Sequence, residues 1–185
     1  MNVDLSKFTA SGFDRGASRF KEMAWMLVSL LLFRLCPLKV SRLKCAVLRV
    51  FGAKIGRGVV IKPQVAITFP WKLTVGDQVW LGEQCWLLNL GPITIESHVC
   101  VSQRAFLCTG NHNYKSSAFD LIVKPIRVET GAWIGANALV GPGVTVGNHA
   151  VLTAGSVATG NLLPFKIYRG NPAVAVKDRV IIAAT

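Results

Sequence analysis

The sequence is short of negative charge. Its 185 residues hold nine acidic side chains against 21 lysines and arginines, a formal net charge of +12. No acidic residue lies between Glu22 and Asp77, while Arg34, Lys39, Arg42, Lys44, Arg49 and Arg57 all fall in that interval. Such an imbalance favours anionic partners: nucleic acid, an anionic membrane surface or phosphorylated small molecules. Nucleic acid is set aside, because the chain has no nucleic-acid motif and does not interleave its basic residues with aromatics in the usual way. Cysteine is sparse and unpaired. The five cysteines are odd in number and form no CxxC pair, which excludes a disulfide framework and fits free thiols in a reducing compartment. Cys85 and Cys100 are expected at interior positions.

A membrane-spanning hydrophobic run is missing as well. The apolar stretch Met23–Phe33 is flanked by Arg19, Lys21 and Arg34. As a helix it covers about 16 Å, half of a bilayer's hydrocarbon core, so it is too short to cross. Arg34-Leu35-Cys36-Pro37 lacks a small-residue cleavage pattern, and Asp4, Asp14 and Glu22 burden the leader, which argues against a secretory signal. Pro37 is expected to close this first helix. A second helix is expected from about Val40 to Phe51, with Val40, Leu43, Val47 and Val50 on its apolar face. Two roles remain open for the pair: capping one end of the domain, or lying in the interface of an anionic membrane through residues 19–51.

What the chain has in abundance is a six-residue period. Val128, Ile134, Val140, Val146, Leu152 and Ala158 form one series; Val75, Leu81, Leu87 and Ile93 form another; Ile55, Ile61, Ile67 and Leu73 form a third. This period suits neither a helix nor a plain alternating strand. It is the repeat of a β-helix, in which each hexapeptide makes one short side and three sides close a coil. Three segments starting at Leu73, Ile93 and Ile126 align with one another. The first offset is one coil, and the second is longer by about thirteen residues, which places an insertion between Leu107 and Ile126. Its content is polar and rich in turn formers, Gly110 through Asp120. A long excursion from a regular solenoid points to function. Glycines at the corners, among them Gly76, Gly135 and Gly143, are expected to supply left-handed turns or to let coils approach closely.

The chain therefore divides into a flexible N-terminal arm (1–18), a basic apolar helical segment (19–53), a β-helix (54–162) with an inserted loop at about 108–125, and a C-terminal return and cap (163–185). Of the three histidines, His98 and His149 fall at corner positions that should face solvent. A metal site needs three converging ligands, so no metal is expected, and a β-helical carbonic anhydrase is disfavoured. His112 stands at the root of the insertion, where a neutral imidazole can act as general base toward a hydroxyl.

The hexapeptide series, the loop Cys108-Thr109-Gly110-Asn111-His112-Asn113-Tyr114, the stretch Gly131-Ala132-Trp133-Ile134-Gly135, and the ending Ala154-Gly155-Ser156-Val157 followed by Gly170-Asn171-Pro172-Ala173 resemble the left-handed β-helix acyltransferases. Within them the chain is most similar to sugar O-acetyltransferases of colanic acid and other exopolysaccharide pathways, which share a motif like Asn89-Leu90-Gly91-Pro92. The resemblance covers about residues 20–180. It implies a left-handed parallel β-helix, a homotrimer with each active site between two subunits, acetyl-CoA as co-substrate, and a sugar or lipid-linked glycan as acceptor. It implies His112 as general base in a direct transfer, Asn89 as the group orienting acceptor or oxyanion, and Trp133 along the pantetheine channel. Ala136, Ala154 and Thr159 are implied as further CoA contacts. Two basic residues of the family pattern are replaced here by Gly160 and Val174, so the CoA phosphates would need Lys166, Arg169, Lys177 or Arg179, of which Lys177 is the first choice.

The function so implied is acetyl-CoA-dependent O-acetylation of a sugar in the bacterial cytoplasm, on the inner face of the cytoplasmic membrane. An N-acetyltransferase acting on an amino-sugar nucleotide and a non-catalytic membrane-bound scaffold are the alternatives.

Overall fold

A computed structural model describes residues 2–10, 12–36 and 40–183. The chain is a left-handed parallel β-helix with a helical segment at its N-terminal end. Short strands stack into three sheets. One holds five parallel strands from Lys54–Ile55 to Thr145–Val146, a second holds five from Ala66–Ile67 to Val157–Ala158, and the third runs from Val60–Ile61 to the C-terminal strands. Leu73 pairs with Ile93, and Ile93 with Ile126, the register that the three aligned segments require. The core is the column of side chains inside the prism. Val128, Ile134, Val140, Val146 and Leu152 are wholly buried. Each inward aliphatic rests on its equivalents in neighbouring coils, so one core serves the whole stack.

Two of the three prism edges turn in the same way at every level. Between the first and third sheets the left-handed residue is Gly58, Gln78, His98, Gly131 and His149 in successive coils. Between the third and second it is Gln64, Gln84, Arg104, Asn137 and Gly155. Most of these corners thus assign positive φ to a polar side chain and use glycine elsewhere. Gly135 has no positive φ. It is required because a Cβ there would lie 2.5 Å from the backbone nitrogen of Ala154 in the next coil.

The helices cover the first coil, and the C-terminal return covers the third sheet at the other end. Helix α1 (Arg19–Val28) continues as a π-helical segment, Ser29–Leu35, and helix α2 spans Ser41–Val50. Pro37, expected as the helix stop, lies outside the described residues. The helices satisfy the open carbonyls of the first coil. Trp25 Nε1 donates to the Ile67 carbonyl, Arg49 to those of Ile55 and Gly56, Ser41 Oγ to Ile61, and Lys44 Nζ to Lys62. At the other end, strand Lys166–Gly170 joins Val151–Leu152 in parallel and then pairs antiparallel with Ala173–Asp178.

Three expectations are corrected here. Helix α2 buries Lys44, Cys45 and Leu48 against the coil, while Leu43 and Val50 face outward. The helix carries two apolar stripes, and the one beside Lys44 wins because the lysine stem packs as hydrocarbon while its ammonium reaches a carbonyl. Burial lowers the pKa of that ammonium, with a partly opposing influence from Cys36. Cys85 is buried, but Cys100 is only half-buried, since it pairs with Trp80 and Trp133 on the outward side of its sheet. His149 is half-buried, because the C-terminal return sets the Phe165 ring 4.9 Å from its imidazole.

Candidate active site

The third edge of the prism, between the second sheet and the first, differs at every level. In the second coil level it carries Asn89-Leu90-Gly91-Pro92, and one level further the insertion, which forms an antiparallel hairpin of Gly110–His112 with Leu121–Val123. The hairpin root is fixed by Thr109, which is wholly buried. Its hydroxyl donates to the Leu88 carbonyl and accepts from the Gly91 amide, at 2.8 and 2.9 Å. Gly91 packs closely below Val123, so the Asn89–Pro92 motif is the floor on which the hairpin stands.

His112 is half-buried at the end of the first hairpin strand. Its Nδ1 lies 2.9 Å from the Phe119 carbonyl. A carbonyl oxygen only accepts, so Nδ1 carries the hydrogen and the neutral ring keeps its lone pair on Nε2. The Phe119 ring stacks on the imidazole at 4.4 Å, and Phe8 lies against it at 5.6 Å. Phe8 arrives from the segment expected as a flexible arm. That segment is tied to the hairpin by the Asp4 amide on the Ser117 carbonyl, and to the second coil by Trp71 Nε1 on the Arg15 carbonyl. Neither Phe8 nor Thr109 was found from the sequence. Phe8 lies more than a hundred residues from His112 in the chain with no local signal, and a threonine beside a loop glycine reads as ordinary turn chemistry.

The remaining site candidates do not gather around His112 within one chain. Asn89 is wholly buried. Its Oδ1 accepts from the amides of Thr68 and Phe69, and its Nδ2 donates to the Phe69 carbonyl. The carboxamide thus braces the turn one coil below and lies beneath the hairpin, the position from which its expected contact with acceptor or oxyanion would have to be made. Thr159 is exposed on the same edge as the hairpin. Trp133, Ala136 and Ala154 lie on the third sheet and the edge that follows it. Trp133 is about half exposed, with its indole nitrogen donating to Ser102 Oγ at 2.9 Å. Ala136 and Ala154 stack one coil apart, and the Gly155 amide donates to the Ala136 carbonyl.

Lys177 stands in line with Trp133. Across the sheet, Trp133 pairs with Val151, Val151 with Ile167, and Ile167 with Lys177. Three strand spacings separate them, roughly 14 Å. Of the other basic candidates, Lys166 is ion-paired with Asp178, and the Arg179 head group donates to the Gly131 and His149 carbonyls. Arg169 and Lys177 have no acidic partner among the described residues. Among the same residues no group of three His, Cys, Asp or Glu side chains is placed to hold a metal ion.

A three-sided parallel coil, broken once by a hairpin that presents a histidine with a free Nε2, is the architecture of a β-helix acyltransferase. The chain is 41% identical over 177 residues to a protein of Escherichia coli K12 named as a colanic acid biosynthesis acetyltransferase, WcaF, spanning 96% of this chain and 97% of the relative. It therefore belongs to the hexapeptide-repeat acetyltransferase family. The fold is shared with the hexapeptide-repeat acetyltransferase VCA0836 of Vibrio cholerae solved with acetyl-CoA, at a TM-score of 0.77 and 22% identity over 95% of this chain and 97% of the other. It is shared also with a galactoside acetyltransferase solved with CoA, at a TM-score of 0.78 and 18% identity over 96% and 92%. No protein-family model matches the chain.

Proposed function

We propose that the protein transfers the acetyl group of acetyl-CoA to a hydroxyl of a sugar in bacterial exopolysaccharide or surface-glycan biosynthesis, with a glycan, free or lipid-linked, as acceptor. One observation carries the mechanism: Nδ1 of His112 is committed to the Phe119 carbonyl, which leaves Nε2 as a base. Nε2 takes the proton of the acceptor hydroxyl as that oxygen attacks the thioester carbonyl. The C–S bond then breaks, and Nε2 returns the proton to the departing CoA sulfur. No acyl-enzyme is needed. The relative from Escherichia coli, named for colanic acid biosynthesis, supports the pathway class.

The active site is a groove shared by two chains of a homotrimer. The support is the separation already described: His112 and Thr159 rise from one edge, while Trp133, Ala136 and Ala154 line another. In the groove, Trp133 forms the wall of the pantetheine channel, and the small side chains of Ala136 and Ala154 leave room for a slender chain. Lys177, with Arg169 close by, meets the CoA phosphates as a point charge. Asn89 and Thr109 hold the floor and root of the hairpin. The reaction is placed at the inner face of the cytoplasmic membrane, with the protein as a peripheral occupant. No described helix is long and apolar enough to cross a membrane.

Replacing His112 with Ala should lower acetyl transfer by about 10²- to 10⁴-fold while CoA binding, measured by calorimetry, persists. Undiminished turnover in that variant would remove the mechanism. A panel of hydroxyl and amino acceptors decides between O- and N-acetylation. Sedimentation should give three times the 20.0 kDa mass of the chain; a monomer with full turnover would remove the shared groove.

A further inference from the structure

Helices α1 and α2 leave a second apolar surface uncovered. Trp25, Ser29 and Phe33 turn inward from the first helical segment. Phe20, Met23, Leu27, Leu31 and Leu35 turn outward along the opposite stripe, and every one of them is exposed. On α2, Leu43 and Val50 face outward, Val50 with 83% exposure, while Arg42 and Arg49 lie on the flank between that face and the coil. Both helices cap the first coil, so their uncovered sides point away from the stack.

Beside this apolar surface lies a basic cleft of about 430 Å³ between α2 and the first coil. Arg42, Arg49 and Arg57 line it together with Ser41, Cys45 and Val60. Two nitrogens of Arg49 are anchored on the Ile55 and Gly56 carbonyls, which fixes the position of its charge. None of the three arginines has an acidic partner among the described residues. The Asp77 carboxylate accepts from the Arg57 backbone amide at 2.6 Å rather than from its guanidinium. Exposed apolar side chains on both helices, with a cleft of three unpaired arginines beside α2 of which Arg49 is held in place, complement a surface with hydrocarbon below and phosphate above.

We propose that this terminal face docks on an anionic phospholipid bilayer, and that the α2 cleft holds a lipid phosphate between Arg42, Arg49 and Arg57. The outward apolar stripe of the first helical segment enters the acyl boundary, and the coils stand off from the membrane. The proposal deepens the peripheral-membrane part of the reading above and does not depend on acetyl transfer.

Co-sedimentation of the full chain with vesicles tests it, at about 0.1 M salt so that contacts within a Debye length dominate. Vesicles of phosphatidylcholine mixed with phosphatidylglycerol should bind the protein at least tenfold more tightly than phosphatidylcholine alone. The double variant Arg42→Gln, Arg57→Gln should weaken binding to the anionic vesicles by about ten- to thirtyfold. Leu27→Glu with Leu31→Glu should abolish binding while circular dichroism stays unchanged. Equal binding to the two vesicle types overturns the proposal. So does release of the bound protein by millimolar inorganic phosphate, which would make the cleft a site for a free anion. A wild-type chain that ignores vesicles, but loses self-association when Leu27 and Leu31 become glutamates, would assign the face to a second copy. Acetyl transfer measured in the same variants without vesicles should stay at the wild-type level. Failed docking with intact transfer rejects the docking alone, and intact docking with a catalytically unaffected His112→Ala rejects the catalytic reading alone.

Discussion

Two edges of the prism repeat the same turn at every level, and the third never repeats. At the repeating edges, a left-handed residue is followed by a buried small or aliphatic one, coil after coil. At the third, the chain uses a 3₁₀ turn at Pro70–Lys72, the Asn89–Pro92 motif, the hairpin and the tight bend at Gly143 in turn. The difference shows where stacking dictates sequence. A corner that must fit the corners above and below tolerates little. An edge whose turns project outward is free to acquire a histidine.

If this division is right, the inward column carries most of the stability, and Leu152→Ala should cost about 2–5 kcal/mol, read as a lowered denaturant midpoint. The repeating edges come next. Gly135→Val forces a side chain into the backbone of the next coil and should cost about 1–3 kcal/mol; a neutral result would show that the uniform corners are less constrained than the geometry states. A smaller effect is expected at Glu96, whose carboxylate accepts from the Thr130 amide and hydroxyl and pairs with Arg127, joining the two coils on either side of the insertion. Burial alone would raise its pKa, but the Thr130 hydrogen bonds and the Arg127 charge outweigh burial and hold it below the usual 4.5. A depressed folded-state pKa gives stability that is complete above the unfolded value and is lost as pH falls through the folded one. Glu96→Ala should therefore cost about 1 kcal/mol at neutral pH, and its deficit should shrink in acid below the usual glutamate range. The smallest change in stability belongs to the variable edge. Excising 111–122 and closing the gap with a short glycine turn should shift stability by less than about 1 kcal/mol, since lengthening or shortening a surface loop changes closure entropy only slowly. Acetyl transfer should vanish in the same variant. A collapsed fold there would mean that the hairpin holds the coils together.

The same division explains what could be read from the sequence. The six-residue series, the one-coil offset and the place of the insertion are visible because the column of Leu and Ile side chains imposes its period directly on the chain. Contacts between remote segments leave no such mark. Nothing local announces that Asp4 meets Ser117 or that Phe8 reaches His112. Helix α2 was misread because both of its stripes are apolar, and the stem of Lys44 makes a charged residue count as hydrocarbon. Cys100 was misread because strand alternation places it with Trp80 and Trp133, facing out, whatever its usual preference for the interior. Asn89 belongs to a recognisable motif, yet its bonds to Thr68 and Phe69 join residues of two different coils and leave no local mark in the sequence.

The closed ends of the stack have a consequence for the life of the protein in a crowded solution. A column of parallel strands is a template: its terminal rung offers a row of unpaired amides and carbonyls to which another molecule's strand can add, and rung upon rung makes a fibre. Here the side chains of Trp25, Ser41, Lys44 and Arg49 occupy the carbonyls of the first rung, and the last rung folds back on itself through an antiparallel partner. The growth points of the first rung are plugged, and at the far pole the third sheet is closed by its antiparallel partner, which together disfavour the end-on addition of another molecule's strand.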